Sequence, residues 1–317
     1  MQVLSAVSEL SRIRAPIVLA IGVFDGVHLG HQSVLNRAIA EAALIGGVAV
    51  PLTFDPHPAR ILNPDHAPLL LTAPEHKIHL LSTMGFGHAL VLPFNSSVAA
   101  TDASDFVTSL VLSSHRLAAI CVGRRWSFGK GRKGNIELLK SLGGLHGFNA
   151  IGIEEVTQND EPVSSTRVRQ AIASGDFARA ETLLGRPYTV LGNVVEGRRL
   201  GRTLGFPTAN LRVFNEQLPP SGVYAVRARR LSAGSDLTGV ANLGVRPTLT
   251  EITTSPTLEV HLIDFQEDCY GESLEVKFVS LLRQEARFPD LESLRTQIKL
   301  DTAHAIRVLA GTADELR

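Results

Sequence analysis

The feature that most constrains the fold of this chain is a change of hydrophobic pattern near Gly185-Arg186-Pro187. Before this point, short apolar runs rich in β-branched residues alternate with amphipathic segments of helical period, beginning with a run over 17–23 and an apolar stripe over 34–42. After it, short β segments follow one another with Gly, Pro and Asn between them. Alternating strands and helices indicate a mostly parallel sheet covered on both faces, whereas closely spaced β segments indicate an antiparallel barrel or sandwich.

The predicted fold class is therefore α/β followed by β. Residues 1–186 are expected to form an α/β domain with a parallel sheet, and residues 187–317 an antiparallel barrel or sandwich with a terminal helix. A chain of 317 residues has room for two domains with separate cores. The terminal helix is expected over 291–309, followed by Gly311. A strand expected over 48–54 contains Pro51, which predicts an edge strand or a bulge.

Composition excludes several classes of protein. Lys and Arg number 31, as do Asp and Glu, so no global basic field exists to attract nucleic acid or an anionic membrane, and neither is expected as a partner. Cys121 and Cys269 are too far apart to suggest a disulfide framework or a cysteine-rich zinc site, and lone thiols suit the cytoplasm. The apolar runs fall short of the roughly 18 residues of a membrane span, and no signal peptide is predicted. The sequence specifies no oligomeric state.

The first group of candidate functional residues lies in 22-GVFDGVHLGHQ-32, which follows an expected strand and opens an expected helix. Ligands of open α/β sheets bind beyond the carboxyl ends of the strands, where a helix N-terminus offers N–H groups to a phosphate. His28 and His31 share one face of a helical turn, and two imidazoles there can stabilise charge developing on a phosphate under attack. The alternative is a pair of surface histidines near a turn.

Two further segments belong with this group. Asp55 and His57 are expected at the carboxyl end of the second strand, and the alternative is ordinary turn chemistry in an Asp-Pro-His-Pro loop. The run Ser164, Ser165, Thr166 and Arg167 precedes a helix, where hydroxyls hold phosphates or cap the helix and Arg167 neutralises charge.

A basic stretch over 124–133 contains five cations and no acid, with Trp126 and Phe128 interleaved. Aromatic rings among cations are typical of a loop that binds single-stranded nucleic acid. They are equally compatible with a flexible flap over a nucleotide. Both interpretations stay open at this point.

The second group lies in the β region. The segment 197-GRRLGRTLGFPTANL-211 is rich in Gly and Arg, and its N–H groups can cradle phosphates. If 208–210 is extended, Thr208 and Asn210 point the same way and offer neutral oxygens suited to Mg²⁺. Glu259 lies on the polar side of an expected strand, where a carboxylate can take a proton from a substrate hydroxyl. The alternatives are a Pro-initiated turn and a solvated strand face.

These motifs resemble, in order and over about 17–306, the bacterial bifunctional riboflavin kinase/FAD synthetase family. The first half is similar to nucleotidylyltransferases related to class I aminoacyl-tRNA synthetases, through H-x-G-H at 28–31. The stretches that carry the resemblance are 22–32, 53-TFDPHP-58, 123-GRRWSFGKGRKGN-135, 164-SSTRVRQAI-172, 197–211, 219-PPSGVYAV-226, 242-NLGVRPT-248, 258-LEVHLIDF-265, 270-YG-271 and 283-RQEARF-288. The family usually has an acidic or amide residue, often followed by Phe, where this chain has Arg125 and Trp126.

The resemblance implies a Rossmann-like nucleotidylyltransferase domain with a parallel sheet over 1–186 and an antiparallel β-barrel domain with a terminal helix over 187–317. It also implies the site residues of two reactions. Riboflavin would be phosphorylated to FMN and FMN adenylylated to FAD, with ATP as co-substrate, Mg²⁺ as cofactor and the flavins as substrates and products. The implied catalytic residues are His28, His31 and Glu259. The implied ATP-binding residues are Gly22, Phe24, Asp25, Ser164, Ser165, Thr166, Arg167, Gly197, Gly201 and Arg202. The implied flavin-binding residues are Asp55, His57, Phe128, Arg287 and Phe288. The implied metal ligands are Thr208 and Asn210.

Four alternatives stay open from sequence alone. The chain could act as a riboflavin kinase with a weak or altered adenylyltransferase domain, since Arg125 and Trp126 depart from the family. It could be a nucleotidylyltransferase for another phosphorylated vitamin, although the β domain argues against this. It could bind RNA through 124–133, which zero net charge disfavours. A class I tRNA synthetase is disfavoured by the short chain and by the lack of a lysine-rich second signature.

Overall fold

A computed structural model describes residues 1–114, 116–197, 200–245 and 256–314. The chain divides into two compact units, Met1–Ser165 and Thr166–Arg317. The domain boundary expected at residue 186 stays a prediction.

The first unit is an α/β structure. Its strands are β1 (Gln2–Leu4), β2 (Ile17–Ile21), β3 (Val48–Asp55), β4 (His88–Pro93), β5 (Leu117–Gly123), β6 (Asn149–Ile153), β7 (Thr157–Gln158) and β8 (Glu161–Pro162). Its helices are α1 (Leu29–Leu44), α2 (Pro58–Leu62), α3 (Pro74–Thr83), α4 (Ser96–Ala99), α5 (Ala103–Ser114) and α6 (Ile136–His146). Short 3₁₀ turns occur at Val7–Arg12, Pro64–His66 and Lys130–Arg132.

The sheet of this unit is parallel throughout, in the order β1-β4-β3-β2-β5-β6. Alternate residues of β2 face two different cores: Leu19 and Ile21 lie in one cluster, and Val18 and Ala20 lie in the other with α1. The predicted two-sided parallel sheet is therefore confirmed. Because the strands are parallel, their carboxyl ends share one edge, where the candidate residues of this unit collect.

Pro51 corrects one expectation from the sequence. It lies in β3, which is an interior strand between β4 and β2 and not an edge. The pairing of β3 with β4 begins only at Leu52, opposite Leu90. Pro51 therefore precedes that ladder, and the strand accommodates a residue that has no N–H to donate.

The second unit begins with two helices and continues into a barrel. Its helices are α7 (Ser165–Ala173), α8 (Phe177–Leu184), α9 (Leu200–Leu204) and α10 (Leu291–Asp314). Its strands are β9 (Thr189–Val195), β10 (Ala209–Val213), β11 (Gly222–Arg230), β12 (Asp236–Val245), β13 (Pro256–Leu262) and β14 (Ser273–Arg283). They form a closed antiparallel barrel in the order β10-β13-β12-β11-β14-β9, with β9 also paired to β10. The predicted barrel is confirmed.

Helices pack onto the barrel through apolar and aromatic side chains. Ala305 and Leu309 of α10 lie in a buried cluster with Val223 and Val240. Phe177 of α8 stacks on Phe278, with ring centroids 5.9 Å apart. The helix α10 continues through Gly311 to Asp314, so the expected stop at Gly311 is wrong. A glycine weakens a helix by only about 1 kcal/mol and does not by itself end one.

Candidate active sites

The first candidate site starts with the turn between β2 and α1. Phe24, Gly26 and Val27 of this turn have positive φ angles of 53°, 83° and 43°. A β-branched residue such as Val27 adopts this conformation only where its surroundings hold it there. The turn is therefore a strongly specified structure, of the kind that clusters at functional sites.

Several hydrogen bonds hold the turn in place. The buried carboxylate of Asp25 accepts from the backbone N–H groups of Leu71 (3.2 Å) and Thr72 (2.9 Å). Gln32 Nε2 donates to the carbonyl of Val27 (2.8 Å). Asp25 thus anchors the chain segment around residue 71 from within the core. Asp25 therefore fixes the shape of the turn.

The two histidines lie together at the start of α1. His28 is the N-cap residue, and its Nδ1 accepts from the backbone N–H of His31 (3.3 Å). The rings stack with centroids 3.6 Å apart and an interplanar angle of 19°. Gly30 leaves room for this arrangement, since a Cβ there would lie 3.1 Å from His28 Cε1. His28 is only 6% exposed, which does not fit a pair of surface histidines. Two imidazoles therefore meet at a helix N-terminus that favours anions.

Other predicted residues of this unit lie at the same strand edge. Asp55 is exposed at the end of β3, directly beside β2 in the sheet. His57 caps α2, with its Nδ1 accepting from the backbone N–H of Ala59 (3.1 Å). Local turn chemistry, the alternative for this segment, therefore occupies one ring nitrogen of His57. Phe24 is 1% exposed, so it can contribute to a nucleotide site mainly through its backbone.

The segment at 164–167 reaches the turn from far along the chain. Ser165 Oγ donates to the backbone carbonyl of Asp25 (2.9 Å), across 140 positions of sequence. Ser164 is half-buried beside it. Thr166 and Arg167 follow Ser165 in the first turn of α7. The spacing of these two motifs along the chain does not predict this contact.

The basic stretch after β5 is folded back on itself. Phe128 and Gly134 exchange two backbone hydrogen bonds, and Trp126 stacks on Phe128 with centroids 4.5 Å apart. Phe128 is 8% exposed and belongs to the hydrophobic core, so Trp126 is the ring nearer the surface. Arg125 forms an ion pair with Glu155 (3.1 Å), and Arg124 forms one with Glu154. Acids outside the stretch thus offset two of its cations, which further weakens the RNA-binding alternative.

The second candidate site is centred on Glu259 of β13. Asn210 of β10 and Asn242 of β12 are its direct cross-strand neighbours. Residues directly opposite each other in antiparallel strands project from the same face. Glu259 therefore lies between two amides on one face of the barrel wall. The alternation of its own strand was predicted and 208–210 was considered as extended, but the pairing of Glu259 with Asn210 and Asn242 was not predicted, because strand order is not encoded in local periodicity.

The Gly/Arg segment packs against this face. A Cβ at Gly197 would lie 2.2 Å from Asn210 Nδ2, so only glycine allows the observed approach. Gly201 lies in α9 and Thr208 just before β10. Arg202 is also in α9, but its side chain and residues 198 and 199 lie outside the described part of the chain.

Two cavities lie next to Thr208. One, of about 350 Å³, is lined by Thr208, Asn242, Glu259, Arg283, Glu285 and Phe288, among others. The other, of about 210 Å³, is lined by Pro207, Thr208, Val260, Phe265, Cys269 and Tyr270, among others. Thr208 therefore borders both cavities, and Glu259 borders the larger one. Two molecules bound in these cavities would therefore approach each other at Thr208.

An ion pair connects two residues in the wall of the larger cavity. Arg283 binds both carboxylate oxygens of Asp301, at 2.9–3.1 Å, and lies over the ring of Phe288 at 5.5 Å from its centroid. Asp301 is 5% exposed. Arg287 is exposed in the same segment as Phe288. Glu285, which sequence reasoning did not single out, lies 3.5 Å from Asn242 Nδ2.

The chain matches known families over both units. A family model described as FAD synthetase matches residues 10–167, and one described as riboflavin kinase matches residues 184–309. A bifunctional riboflavin kinase/FMN adenylyltransferase from Haemophilus influenzae is 35% identical over 96% of this chain and 98% of its own length. The protein of the same name from Escherichia coli K12 is 38% identical over 90% of each chain.

A solved structure also matches nearly the whole chain. The crystal structure of a protein named as a macrolide-efflux protein from Streptococcus pneumoniae has a TM-score of 0.79 and 29% identity, covering 96% of this chain and 98% of that one. The term macrolide-efflux describes that protein and is not applied to the present chain. Within the described residues, the present chain has no helix with the length and apolar character needed to cross a bilayer.

Proposed function

This chain belongs to the family of bifunctional riboflavin kinase/FMN adenylyltransferases, and from that premise we propose which of its residues serve each reaction. The protein is a transferase that phosphorylates riboflavin to FMN and adenylylates FMN to FAD, with ATP as co-substrate of both steps. Both domains are present, so the bifunctional interpretation is favoured over a kinase alone. The free thiols Cys121 and Cys269 suit a reducing cytoplasm, where we place the enzyme.

In the kinase reaction, Glu259 takes the proton of the 5′-hydroxyl of riboflavin as that oxygen attacks the γ-phosphorus of ATP, the bond to the β,γ-bridging oxygen breaks and ADP leaves. Phosphoryl transfer depends mainly on positioning and electrostatic stabilisation, with the base orienting the nucleophile. The supporting observation is that Glu259 borders the larger cavity while Thr208 borders both. We assign riboflavin to the larger cavity and ATP to the smaller one, so that the reacting groups meet near Thr208.

Phe288 and Arg287 are proposed to contact the isoalloxazine. Phe288 lines the larger cavity and can stack on a planar ring, with its own position supported by Arg283. Arg287 is exposed in the same segment, where a cation can attract an anionic product such as FMN. Gly197, Gly201 and Arg202 belong to the segment that we assign to the ATP phosphates.

Thr208 and Asn210 suit a shared magnesium site. They offer neutral oxygens, and Mg²⁺ typically takes few protein ligands together with phosphate oxygens and water. Within the described residues, no cluster of three or more His, Cys, Asp or Glu forms a metal cage. The two neutral oxygens of Thr208 and Asn210 fit a cation that enters the site together with the nucleotide. When bound, Mg²⁺ would neutralise phosphate charge, while Glu259 beside Asn210 holds the proton that leaves the flavin hydroxyl.

In the adenylyl transfer, the phosphate of FMN attacks the α-phosphorus of ATP and pyrophosphate leaves. The nucleophile is already an anion, so no strong base is required. His28 and His31 stabilise the charge of the transition state from the N-terminus of α1. Gly22, Phe24 and Asp25 shape the turn around the nucleotide, and the segment 164–167 supplies hydroxyls and a cation.

The flavin side of the adenylyl-transfer site is assigned to the residues beyond β3 and β5. Asp55 and His57 lie at the edge shared with the histidines. Phe128 contributes by supporting Trp126, whose ring lies nearer the surface. The observation that carries the assignment of adenylyl transfer to this site is the stacked His28–His31 pair, which lies at a helix N-terminus on the ligand-binding edge of the sheet.

A product assay with two variants tests the assignment. The purified protein is incubated with riboflavin and Mg–ATP, and riboflavin, FMN and FAD are separated by chromatography with fluorescence detection. The wild-type enzyme is expected to form FMN and then FAD. We expect the Glu259→Gln variant to make FAD from supplied FMN but no FMN from riboflavin. The double variant His28→Ala/His31→Ala should stop at FMN. Unchanged FAD formation by the double variant would refute the histidine assignment.

A further inference from the structure

A buried lysine beneath the adenylyl-transfer site has no role in the assignment above. Lys77 lies in α3 and is 7% exposed. Among the described residues it is the only lysine or arginine that is buried to this extent. A buried cation is costly unless it is paired and hydrogen-bonded. The contacts of Lys77 therefore indicate what its charge is used for.

Those contacts join three elements at the strand edge. Lys77 Nζ donates to the carbonyl of Val23 (2.9 Å) and to Thr53 Oγ1 (3.3 Å). Thr53 Oγ1 in turn donates to the same carbonyl of Val23 (2.8 Å). These three hydrogen bonds form a closed triangle between Lys77 of α3, Thr53 near the end of β3, and Val23, which lies just after β2. Val23 immediately precedes the strained turn of positive-φ residues that leads to His28.

Lys77 also balances two carboxylates. Burial is the larger influence and lowers the pKa of Lys77, whereas the charges of Asp25 and Asp55 oppose that change. Asp25 is itself buried and anchors the turn. Removing the cation at position 77 would make the proposed binding region for triphosphate and FMN more negative.

We propose that Lys77 is a positioning residue for adenylyl transfer, which fixes the Val23 carbonyl and compensates Asp25 and Asp55 so that the turn presents His28 to the phosphates. This inference rests on the proposed assignment of adenylyl transfer to this site. Lys77 acts through the turn and does not itself touch the reacting atoms. The kinase reaction, assigned to the other unit, should not depend on it.

The test compares two lysine variants of the full-length enzyme. Lys77→Met removes the charge and the hydrogen bonds while keeping an unbranched side chain. Lys140→Met is the matched control, because Lys140 is exposed on α6 and contacts only Glu137 in a surface ion pair among its described interactions. For Lys77→Met, kcat for FAD formation from FMN is expected to fall on the order of 10²-fold, with KM for FMN changing less than about 3-fold. Riboflavin phosphorylation should stay unchanged in both variants.

Two further variants keep the test decisive if Lys77→Met does not fold. Lys77→Arg retains the charge and should be at least about 10-fold more active in FAD formation than Lys77→Met. If Lys77→Met does not fold, Lys77→Ala takes its place in this comparison. Thr53→Val removes one corner of the triangle and should slow FAD formation about 10-fold with kinase activity intact. FAD formation at the wild-type rate in Lys77→Met or in Thr53→Val would overturn the proposal. A wild-type enzyme that makes FMN but no FAD would instead refute the proposed function.

Discussion

Gly197 packs so closely against Asn210 that the side-chain amide occupies the space a Cβ would need. Asn210 is in turn the direct cross-strand neighbour of Glu259. The position of the proposed base and metal ligand thus depends on a residue that has no side chain. In the first unit, Gly30 has a similar relation to the ring of His28. At the scale of residues, both sites depend on close approach of backbone to a functional group.

The variant Gly197→Ala tests this dependence. The added methyl group must displace the amide of Asn210, so kinase kcat is expected to fall at least about 10-fold. Adenylyl transfer from supplied FMN should stay at the wild-type rate. The two activities are measured separately by chromatography, one with riboflavin and the other with FMN.

Gly311→Ala is the matched control for this prediction. Gly311 lies inside α10, and a Cβ there would meet nothing within 4 Å. This variant should leave both activities unchanged and stabilise the protein by about 0.5–1 kcal/mol, as alanine does in a helix interior. A loss of kinase activity in Gly311→Ala equal to that in Gly197→Ala would contradict the argument from local space.

A largely buried ion pair joins β14 and α10 of the second unit. Arg283 at the end of β14 makes a two-pronged contact with Asp301 of α10, and Gln297 Nε2 donates to the same carboxylate (2.8 Å). Apolar packing of Ala305 and Leu309 continues the contact between α10 and the barrel. The ion pair also forms part of the wall of the larger cavity. It therefore connects the stability of α10 to the shape of the proposed flavin site.

Replacing Asp301 with Ala should destabilise the barrel unit. Removal leaves the Arg283 guanidinium partly buried without its carboxylate, and we expect a loss of about 2–4 kcal/mol in the free energy of unfolding. Urea denaturation measures this change, and KM for riboflavin should rise. The control is Asp236→Ala, which removes an exposed partner of Arg229 at 3.9 Å and should alter neither quantity. Equal effects of the two variants would show that burial of the pair is unimportant.

The chain divides into two compact units, and the two proposed reactions are centred on different ones. Each proposed site uses residues that lie far apart in sequence, as Ser165 with Asp25 and Asn210 with Glu259 illustrate. The product of the assigned kinase site is the substrate of the assigned adenylyl-transfer site. A lesion in one site should therefore leave the other able to work on supplied substrate.

Mixing two inactive variants tests this independence. Neither Glu259→Gln nor His28→Ala/His31→Ala alone should convert riboflavin to FAD. An equimolar mixture should form FAD after a lag, because FMN released by the histidine variant reaches the intact adenylyl-transfer site of the other. The lag should shorten as protein concentration rises. No FAD from the mixture, although Glu259→Gln converts supplied FMN, would mean that FMN does not leave the kinase site.

Much of the fold could be predicted from neighbouring residues alone. The alternation of strands and helices and the change to closely spaced β segments are encoded in periodicity, capping residues and glycines that adjoin one another in sequence. Local signals were insufficient for Pro51, which lies in an interior strand, and for Gly311, inside α10. In both cases the surrounding packing outweighs a local preference.

The order of the elements, the family resemblance and the residue types available for phosphate chemistry can be read from the amino-acid sequence. Which of these residues come into contact depends on the folded structure. Asp25 binds the backbone around Leu71 and Thr72, and Glu259 lies between Asn210 and Asn242. Lys77 reaches the carbonyl of Val23 from another helix. Local periodicity follows from contacts between near neighbours in the chain, whereas these contacts follow from strand order, register and barrel closure, which depend on the packing of the whole unit.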